Sequence, residues 1–436
     1  SFIGGGSGMV KAGFGLIEIS PLVGTPMAGY LNARYVSGVH DPLFARALAL
    51  TDGQTSALVI SFDLIGLADA DVAAIRKAVA ERVPVDERHI ILFCTHTHTG
   101  PALVDSFETP RSDEYARSLP EKTARAAETA WHDLAEARVS FAQREVPEVA
   151  FQRRYLMKDG TVRTNPGKMN PDIVGPQRKI RTPVTLIGFE RDRTRLPIVV
   201  ASFPCHADVV GGTEASADYP GRVCDHITHD FPGHPETLFL RAPAGDINHL
   251  NVFDASPQRG YEYAKHMARA ITEQAVQAWR ERVPTPGPLA IACAAVTLER
   301  RSVELGELAS ARSVFAQSKM LSPLPVDAVW AREKLLLAEM PEQIRIEMSG
   351  IRIGGVRIVG VPGELFSELG DTITTRSPAA NTLVADCCGG KLGYLPTREA
   401  YSQNGYEERP ARSSPCAPGS GEAVVEAALS LVAELA

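Results

Sequence analysis

Short apolar runs rich in β-branched residues alternate along this chain with longer stretches in which apolar residues recur at helical spacing. This alternation constrains the fold most, because strands that take turns with helices build layered α/β domains. We predict strands at residues 57–63, 89–95, 138–141, 184–189, 197–204, 237–241, 289–298, 350–361 and 382–386. Helices are predicted at residues 69–82, 113–135, 220–231, 259–282, 304–340, 364–376 and 421–435. The predicted fold class is therefore α/β, with mixed β-sheets flanked by helices.

Three segments depart from this alternation. Residues 152–182 and 389–419 are rich in turn-forming residues and are predicted to be long loops, which often carry function in compact domains. Residues 304–342 form a long polar helical stretch that a hairpin would accommodate. No break in composition divides the chain, so we expect a single domain over residues 9–436. The first eight residues, SFIGGGSG, have the composition of a tag remnant and are excluded from the fold prediction.

The composition argues against several classes of protein. The formal net charge is −7, and no long run of Lys or Arg occurs, so we expect no binding to nucleic acid. No uninterrupted apolar stretch is long enough to span a membrane, and no secretory leader follows Met9, so a cytoplasmic location is expected. The seven cysteines are irregularly spaced, which favours neither a disulfide framework nor a Cys-rich zinc site. The oligomeric state does not follow from the sequence.

Two histidine clusters follow predicted strands. The first cluster, Thr95-His96-Thr97-His98-Thr99-Gly100-Pro101, follows an apolar run and contains two histidines separated by one residue. Side chains two residues apart share a face of a strand, so His96 and His98 suit one metal ligand and one catalytic or orienting imidazole. The second cluster, Phe203-Pro-Cys-His206-Ala-Asp208, also ends an apolar run. His206 alone would fit a hydrogen-bonded core residue, but the first cluster favours a ligand.

Acidic and aromatic residues supply further candidates. Glu364 follows an apolar run and a Pro-Gly turn, which suits either a carboxylate at a helix N-terminus or a metal ligand. Tyr394 and Tyr406 lie in a loop punctuated by Gly and Pro, where packing is the simpler interpretation. Asp246 and Asn248, after the strand predicted at 237–241, suit a structural role as well as a catalytic one.

The motifs THTHTGP, FPCHAD, SADYPG, GDIN, VPGE and GYLPT…GYE occur in this order between Ile17 and Glu407. Each is weak alone, but the ordered set resembles the neutral/alkaline (non-lysosomal) ceramidase superfamily. The resemblance implies a ceramidase-like catalytic domain that hydrolyses an amide (N-acyl) bond. Ceramidases of this family also carry a C-terminal immunoglobulin-like domain, which we expect this chain to lack.

The resemblance also implies roles for individual residues. It assigns one Zn²⁺ to His96, His206, Glu364 and Tyr394, and it assigns assistance in catalysis to His98, Arg153 and Tyr406. In the mechanism it implies, water activated by zinc attacks an amide or ester carbonyl while Arg153 holds the developing oxyanion. His98 would take the proton or orient the water, and Tyr406 would hydrogen-bond the tetrahedral intermediate.

The chain departs from the family pattern at three places. Asn248 stands where ceramidases carry Ser, which excludes a serine nucleophile there. The sequence Gln152-Arg153-Arg154 replaces the family's Asn-Arg, so Arg154 is an alternative to Arg153. Residues 407–410 (EERP) replace a Gly-rich stretch. With the polar content of the predicted loops, these departures favour a small substrate more polar than ceramide.

Three alternatives to an amidase remain open at this stage. An esterase or lactonase would use the same site, because amide and ester hydrolysis ask the same of the metal. A TIM-barrel amidohydrolase also uses a His-x-His motif after a strand, but there the motif opens the barrel, and no matching barrel series is present. A non-catalytic binding protein on the same fold is opposed by the full set of four candidate ligands.

Overall fold

The computed structural model describes residues 9–192 and 194–436. The segment 1–8, predicted to be a tag remnant, lies outside the described residues. The assignment of residues 9–436 to a single domain stays a prediction.

The described residues form twenty-four strands and eight α-helices. The strands are β1 Lys11–Glu18, β2 Pro26–Met27, β3 Arg34–Tyr35, β4 Gly38–Val39, β5 Phe44–Thr51, β6 Ser56–Phe62, β7 Ile90–Cys94, β8 Ala135–Glu145, β9 Phe151–Gln152, β10 Arg154–Met157, β11 Val162–Thr164, β12 Ile173–Pro176, β13 Pro183–Arg191, β14 Ile198–Phe203, β15 Glu214–Ala215, β16 Glu236–Arg241, β17 Ile247–Asn248, β18 Val283–Pro284, β19 Leu289–Glu299, β20 Gln343–Ile353, β21 Val356–Gly360, β22 Glu364–Leu365, β23 Asn381–Ala385 and β24 Tyr394–Leu395. The helices are α1 Asp69–Ala80, α2 Asp113–His132, α3 Asp218–Asp230, α4 Tyr261–Arg280, α5 Leu305–Ser318, α6 Val326–Glu339, α7 Ser367–Arg376 and α8 Ser420–Glu434.

The larger sheet has nine strands, in the order β16-β14-β13-β8-β1-β5-β6-β7, with β18 paired to β8 beside this path. Helices α1 and α2 cover one half of its outer face, and α3 and α4 cover the other half. The two ends of the strand order return to contact each other, since the hydroxyl of Ser61 donates a hydrogen bond to the carbonyl of Phe239. This contact brings the ends of β7 and β14 into one region.

The smaller sheet has four strands, in the order β19-β20-β21-β23. Its inner face packs on the larger sheet, and the shared apolar cluster includes Phe14 and Leu48 on one side and Ile351 and Ile358 on the other. Helices α7 and α8 pack on its outer face. The architecture is thus four layers, with helices, two sheets and helices in turn, because each sheet buries both of its faces.

Within the larger and the smaller sheet, three pairs of neighbouring described strands are parallel: β6 with β7, β14 with β16, and β21 with β23. Parallel pairing places the carboxyl ends of the two strands at the same edge of a sheet. Four predicted ligands follow these ends: His96 comes after β7, His206 after β14, Glu364 after β21, and Tyr394 after β23. The fold therefore collects them from both sheets.

The α/β class with helices flanking mixed sheets is confirmed, but three local predictions were wrong. Residues 350–361 are not one strand, since they form the hairpin of β20 and β21 around Gly354, whose φ is +59°. The predicted loop at 152–182 contains β10, β11 and β12, which form a small sheet. The helix predicted to start at Glu364 begins at Ser367, and Glu364 itself lies in β22, paired with Tyr394 of β24. The stretch 304–342 is the hairpin of α5 and α6, as expected.

Within the two described ranges, 9–192 and 194–436, no helix has the length and apolar character needed to cross a membrane.

Candidate metal centre

Donor atoms of the four predicted ligands converge at a buried point between the sheets. The carboxylate Oε2 of Glu364 lies 3.2 Å from Nε2 of His96 and 3.0 Å from Nε2 of His206. The hydroxyl of Tyr394 lies 3.4 Å from the same nitrogen of His206. Ligands of a tetrahedral zinc ion lie about 3.3 Å apart, given zinc–ligand distances of about 2.0–2.1 Å. The spacing of these donors therefore fits a single zinc-sized cation.

Backbone carbonyls fix both imidazoles. Nδ1 of His96 lies 2.9 Å from the carbonyl of Ile65. Nδ1 of His206 lies 2.8 Å from the carbonyl of Ala244 and 3.1 Å from that of Ile247. A carbonyl only accepts, so Nδ1 carries the proton in each ring and Nε2 presents its lone pair toward the other donors. This is the tautomer that a metal requires.

The backbone at His96 is strained in the way that functional residues often are. Its φ is +66°, a conformation that costs energy for a side chain other than glycine. The strand β7 ends at Cys94, so His96 and His98 do not share a strand face as predicted. The turn after β7 brings the two imidazoles together instead, and their ring centres lie 5.1 Å apart.

The charges of the site suit a cation. Burial alone would raise the pKa of Glu364, but positive charge on the imidazoles of His96 and His206 would hold it well below its usual value. A bound cation would favour the ionised carboxylate in the same way. Burial, reinforced by Arg153, lowers the pKa of His206 well below its usual value and keeps the ring neutral. Burial raises the pKa of the Tyr394 hydroxyl, with Arg153 acting in the opposite direction. A bound cation would favour the deprotonated phenol.

His98 lies beside this set. His96, His98 and His206 each offer a ring nitrogen, and these atoms all lie within 4.8 Å of one another. Nδ1 of His98 lies 3.0 Å from the carbonyl of Gly29, so this nitrogen is the protonated one. The other nitrogen, Nε2, is buried and has no hydrogen-bond partner among the described residues. Burial lowers the pKa of His98 to about 4, so the neutral ring can accept a proton through Nε2.

The two adjacent arginines have different surroundings. The guanidinium carbon of Arg153 lies 5.3 Å from the ring centre of Tyr394 and 5.9 Å from that of Tyr406. Arg154 instead forms hydrogen bonds with Glu407, Glu408, Gln177 and Gln403. Of the two alternatives, the one that contacts the rings of the site is therefore Arg153.

Tyr406 stands at the mouth of the site. Its ring centre lies 5.9 Å from that of Tyr394 and 5.8 Å from that of Trp330 on α6. Tyr406 is partly exposed, whereas Tyr394 is buried. The aromatic contacts thus run from the buried tyrosine outward to the helical hairpin.

Asp246 and Asn248 make structural contacts. The carboxylate of Asp246 accepts hydrogen bonds from the backbone N–H of Ser367 at 2.7 Å and from the amide of Gln152 at 2.9 Å. The Asn248 amide donates to the side chain of Asn165 at 2.8 Å, and its oxygen accepts from the backbone N–H of Leu250 at 3.0 Å. These bonds connect the loops that surround the metal centre.

The sequence analysis missed a buried ion pair beneath the site. Arg241, at the end of β16, donates two hydrogen bonds of 2.7 Å to Asp386, which follows β23. Both residues are fully buried, and the pair joins the two sheets. The available signal was that charged residues close two apolar runs, since such charges need partners when buried.

Comparison with known proteins came from solved structures. No protein-family model matches the sequence, and no curated protein matches it. The neutral ceramidase from Pseudomonas aeruginosa superposes with a TM-score of 0.76 and 18% identity, over 99% of this chain and 75% of that chain. A ceramidase complexed with C2 superposes with a TM-score of 0.73 and 16% identity, over 98% of this chain and 75% of that chain. The resemblance predicted from the motifs is confirmed at the level of the fold: this chain folds as the neutral ceramidases do.

Proposed function

We propose that this protein is a zinc-dependent hydrolase that cleaves an amide (N-acyl) bond of a small substrate. The observation that carries the proposal is the convergence of His96, His206, Glu364 and Tyr394. The carboxylate of Glu364 lies 3.0–3.2 Å from the two imidazoles, and the hydroxyl of Tyr394 lies 3.4 Å from the imidazole of His206. Zn²⁺ bound there would supply a Lewis acid that polarises a carbonyl and lowers the pKa of water. The likeness to structures described as ceramidases supports amide hydrolysis as the first reaction to test.

The residues around the ligands would carry the proton and the charge. His98 is neutral near pH 7, because burial lowers its pKa to about 4, and its Nε2 lacks a partner among the described residues. It would accept the proton of the attacking water and pass it to the leaving amine. Arg153 would hydrogen-bond the carbonyl oxygen as negative charge develops, and Tyr406 would donate a further hydrogen bond from the mouth of the site.

The substrate would be more polar than ceramide. Beside Tyr406 lie four buried charged residues, Arg153, Arg154, Glu407 and Glu408. The ceramidases that the sequence resembles carry a Gly-rich stretch in place of residues 407–410. This buried charged network suits a substrate that brings a polar atom, because Nη2 of Arg153 is buried and has no hydrogen-bond partner among the described residues. A cytoplasmic location and the single-domain assignment also stay predictions.

The test is hydrolysis by protein loaded with one equivalent of zinc. Paired substrates would share an acyl group and differ only in an amide or ester bond, with acetyl and palmitoyl chains compared. We expect release of the amine from short-chain amides, inhibition by a chelator, and recovery on adding zinc. His206→Ala, purified identically, is the control for contaminating hydrolases.

Two results would change the assignment. Hydrolysis of esters or lactones with no turnover of amides would make the protein an esterase or lactonase that uses the same site. Zinc-loaded protein that hydrolyses none of these compounds would support a binding protein.

A further inference from the structure

Glu407 is a fully buried carboxylate with three donors around it. Nε of Arg153 donates to its Oε1 at 2.7 Å, and Nη1 of Arg154 donates to its Oε2 at 2.7 Å. The hydroxyl of Thr164 on β11 donates to the same Oε2, also at 2.7 Å. Burial would raise the pKa of Glu407, but the two guanidinium groups hold it below its usual value. The ionised carboxylate thus fixes both arginines.

The guanidinium of Arg153 has a hydrogen-bond donor that is available to a ligand. Its Nε is taken by Glu407, whereas its Nη2 is buried and has no hydrogen-bond partner among the described residues. A buried N–H group of a charged side chain without a partner costs free energy, so such an atom points to an acceptor that arrives with a ligand. The guanidinium lies beside the rings of Tyr394 and Tyr406, which places it at the candidate metal centre.

Arg154 shows what a purely structural arginine looks like in the same network. Its Nε donates to Gln177, its Nη1 to Glu407 and Glu408, and its Nη2 to Gln403 and Glu408. All three of its nitrogens have partners. The two arginines share one carboxylate, but only Arg153 leaves a buried nitrogen for another molecule.

We propose that Glu407 is a positioning residue. Its carboxylate accepts the hydrogen bond of Arg153 Nε and so orients Nη2 toward the oxygen of a bound acyl group. The guanidinium is rigid and planar, so holding one edge sets the direction of the other. The inference rests on the proposed function for the identity of the acyl group. It adds a residue that acts through Arg153 and touches neither zinc nor substrate.

The test measures binding of hexanoate, a carboxylate with the acyl group of a short-chain product, to the zinc-loaded protein by calorimetry. Glu407→Gln removes the negative charge that holds Arg153 in place, and we expect the affinity for hexanoate to fall by about tenfold. Glu408→Gln is the matched control, because it neutralises the neighbouring buried carboxylate, which contacts Arg154 alone of the two arginines. It should bind hexanoate within about twofold of wild type.

A double-mutant cycle separates positioning from a general structural effect. In an Arg153→Lys background, Glu407→Gln should cause no further loss, because its target has gone. An equal loss in both backgrounds, or wild-type affinity in Glu407→Gln, would overturn the inference. If Glu407→Gln does not fold, Glu407→Asp replaces it, because this change keeps the charge and moves it back by one methylene. A loss of hexanoate affinity in Glu407→Asp that disappears in the Arg153→Lys background would support the inference. Any other pattern would oppose it.

This binding assay is independent of turnover. Wild-type protein that binds hexanoate in a manner sensitive to Glu407, yet hydrolyses no substrate, would end the proposed function and leave the positioning role standing. If wild-type protein hydrolyses amides and Glu407→Gln keeps both the affinity for hexanoate and kcat/KM, the proposed function would stand and the positioning role would be overturned.

Discussion

The candidate site has two parts that are held in different ways. The floor consists of His96, His206, Glu364 and Tyr394, and the wall consists of Arg153, Tyr406 and Glu407. Backbone carbonyls hold the imidazoles of the floor, and the backbone pairing of β22 with β24 joins Glu364 to Tyr394. In the wall, Arg153 is held by the side chain of Glu407. The floor therefore depends on the fold, whereas the wall depends on a few side chains that can be removed one at a time.

Removing a floor ligand should have the largest effect. His206→Ala deletes a donor that lies 3.0 Å from Glu364, so zinc should be lost and hydrolysis should fall by about a thousandfold or more. The measurement is kcat/KM for the best amide substrate, with bound zinc measured on the same sample. Activity within tenfold of wild type would contradict the division between floor and wall.

The buried ion pair of Arg241 and Asp386, beneath the floor, can be tested through its effect on stability. Asp386→Ala leaves the buried guanidinium of Arg241 without its partner. This change should lower the free energy of unfolding by about 3–5 kcal/mol in urea titrations. The double variant Arg241→Met with Asp386→Leu buries no charge and should recover most of this loss. If the single variant were as stable as wild type, the ion pair would not be what joins the two sheets.

The wall, and His98 beside the floor, should affect turnover without affecting zinc. We expect Arg153→Ala and His98→Ala each to lower kcat by about 10²–10³, with zinc content unchanged. His98 is the sharper case, because its ring nitrogen lies within 4.8 Å of those of His96 and His206. Loss of zinc from His98→Ala would add His98 to the ligands of the floor.

The smallest effect should come from the partly exposed tyrosine. Tyr406→Phe keeps the aromatic contacts with Tyr394 and Trp330 and removes only the hydroxyl. The loss of one hydrogen bond in the transition state should lower kcat by about tenfold, with KM little changed. A variant as active as wild type would limit Tyr406 to packing.

The same contrast explains what could be predicted from the sequence. The layers followed from the alternation of apolar runs, and His206 stood out because it follows a strand. The turn at Gly354 was missed although a signal was present, since Gly354-Gly355 between two apolar runs is typical of a two-residue hairpin turn. The placement of His96 by a left-handed backbone turn was also out of reach, since sequence patterns assume regular strands.

Long-range side-chain pairs were the hardest to foresee. Arg241 and Asp386 are 145 residues apart, and Arg153 and Glu407 are 254 residues apart. No local pattern relates such residues, because their pairing is decided by how the two sheets and the loops pack. Glu407 was visible beforehand only as part of the motif around Tyr406 and of the charged segment after it. Its buried contact with Arg153 emerged from the structure.

The central claim is that the floor binds one zinc ion and the wall does not contribute to holding it. The direct measurement is metal content by elemental mass spectrometry on wild type, His96→Ala and Arg153→Ala, all purified without chelator. We predict about one zinc per chain in wild type and Arg153→Ala, and none in His96→Ala. Folded wild-type protein without zinc, even after incubation with the metal, or His96→Ala that retains it, would contradict the account.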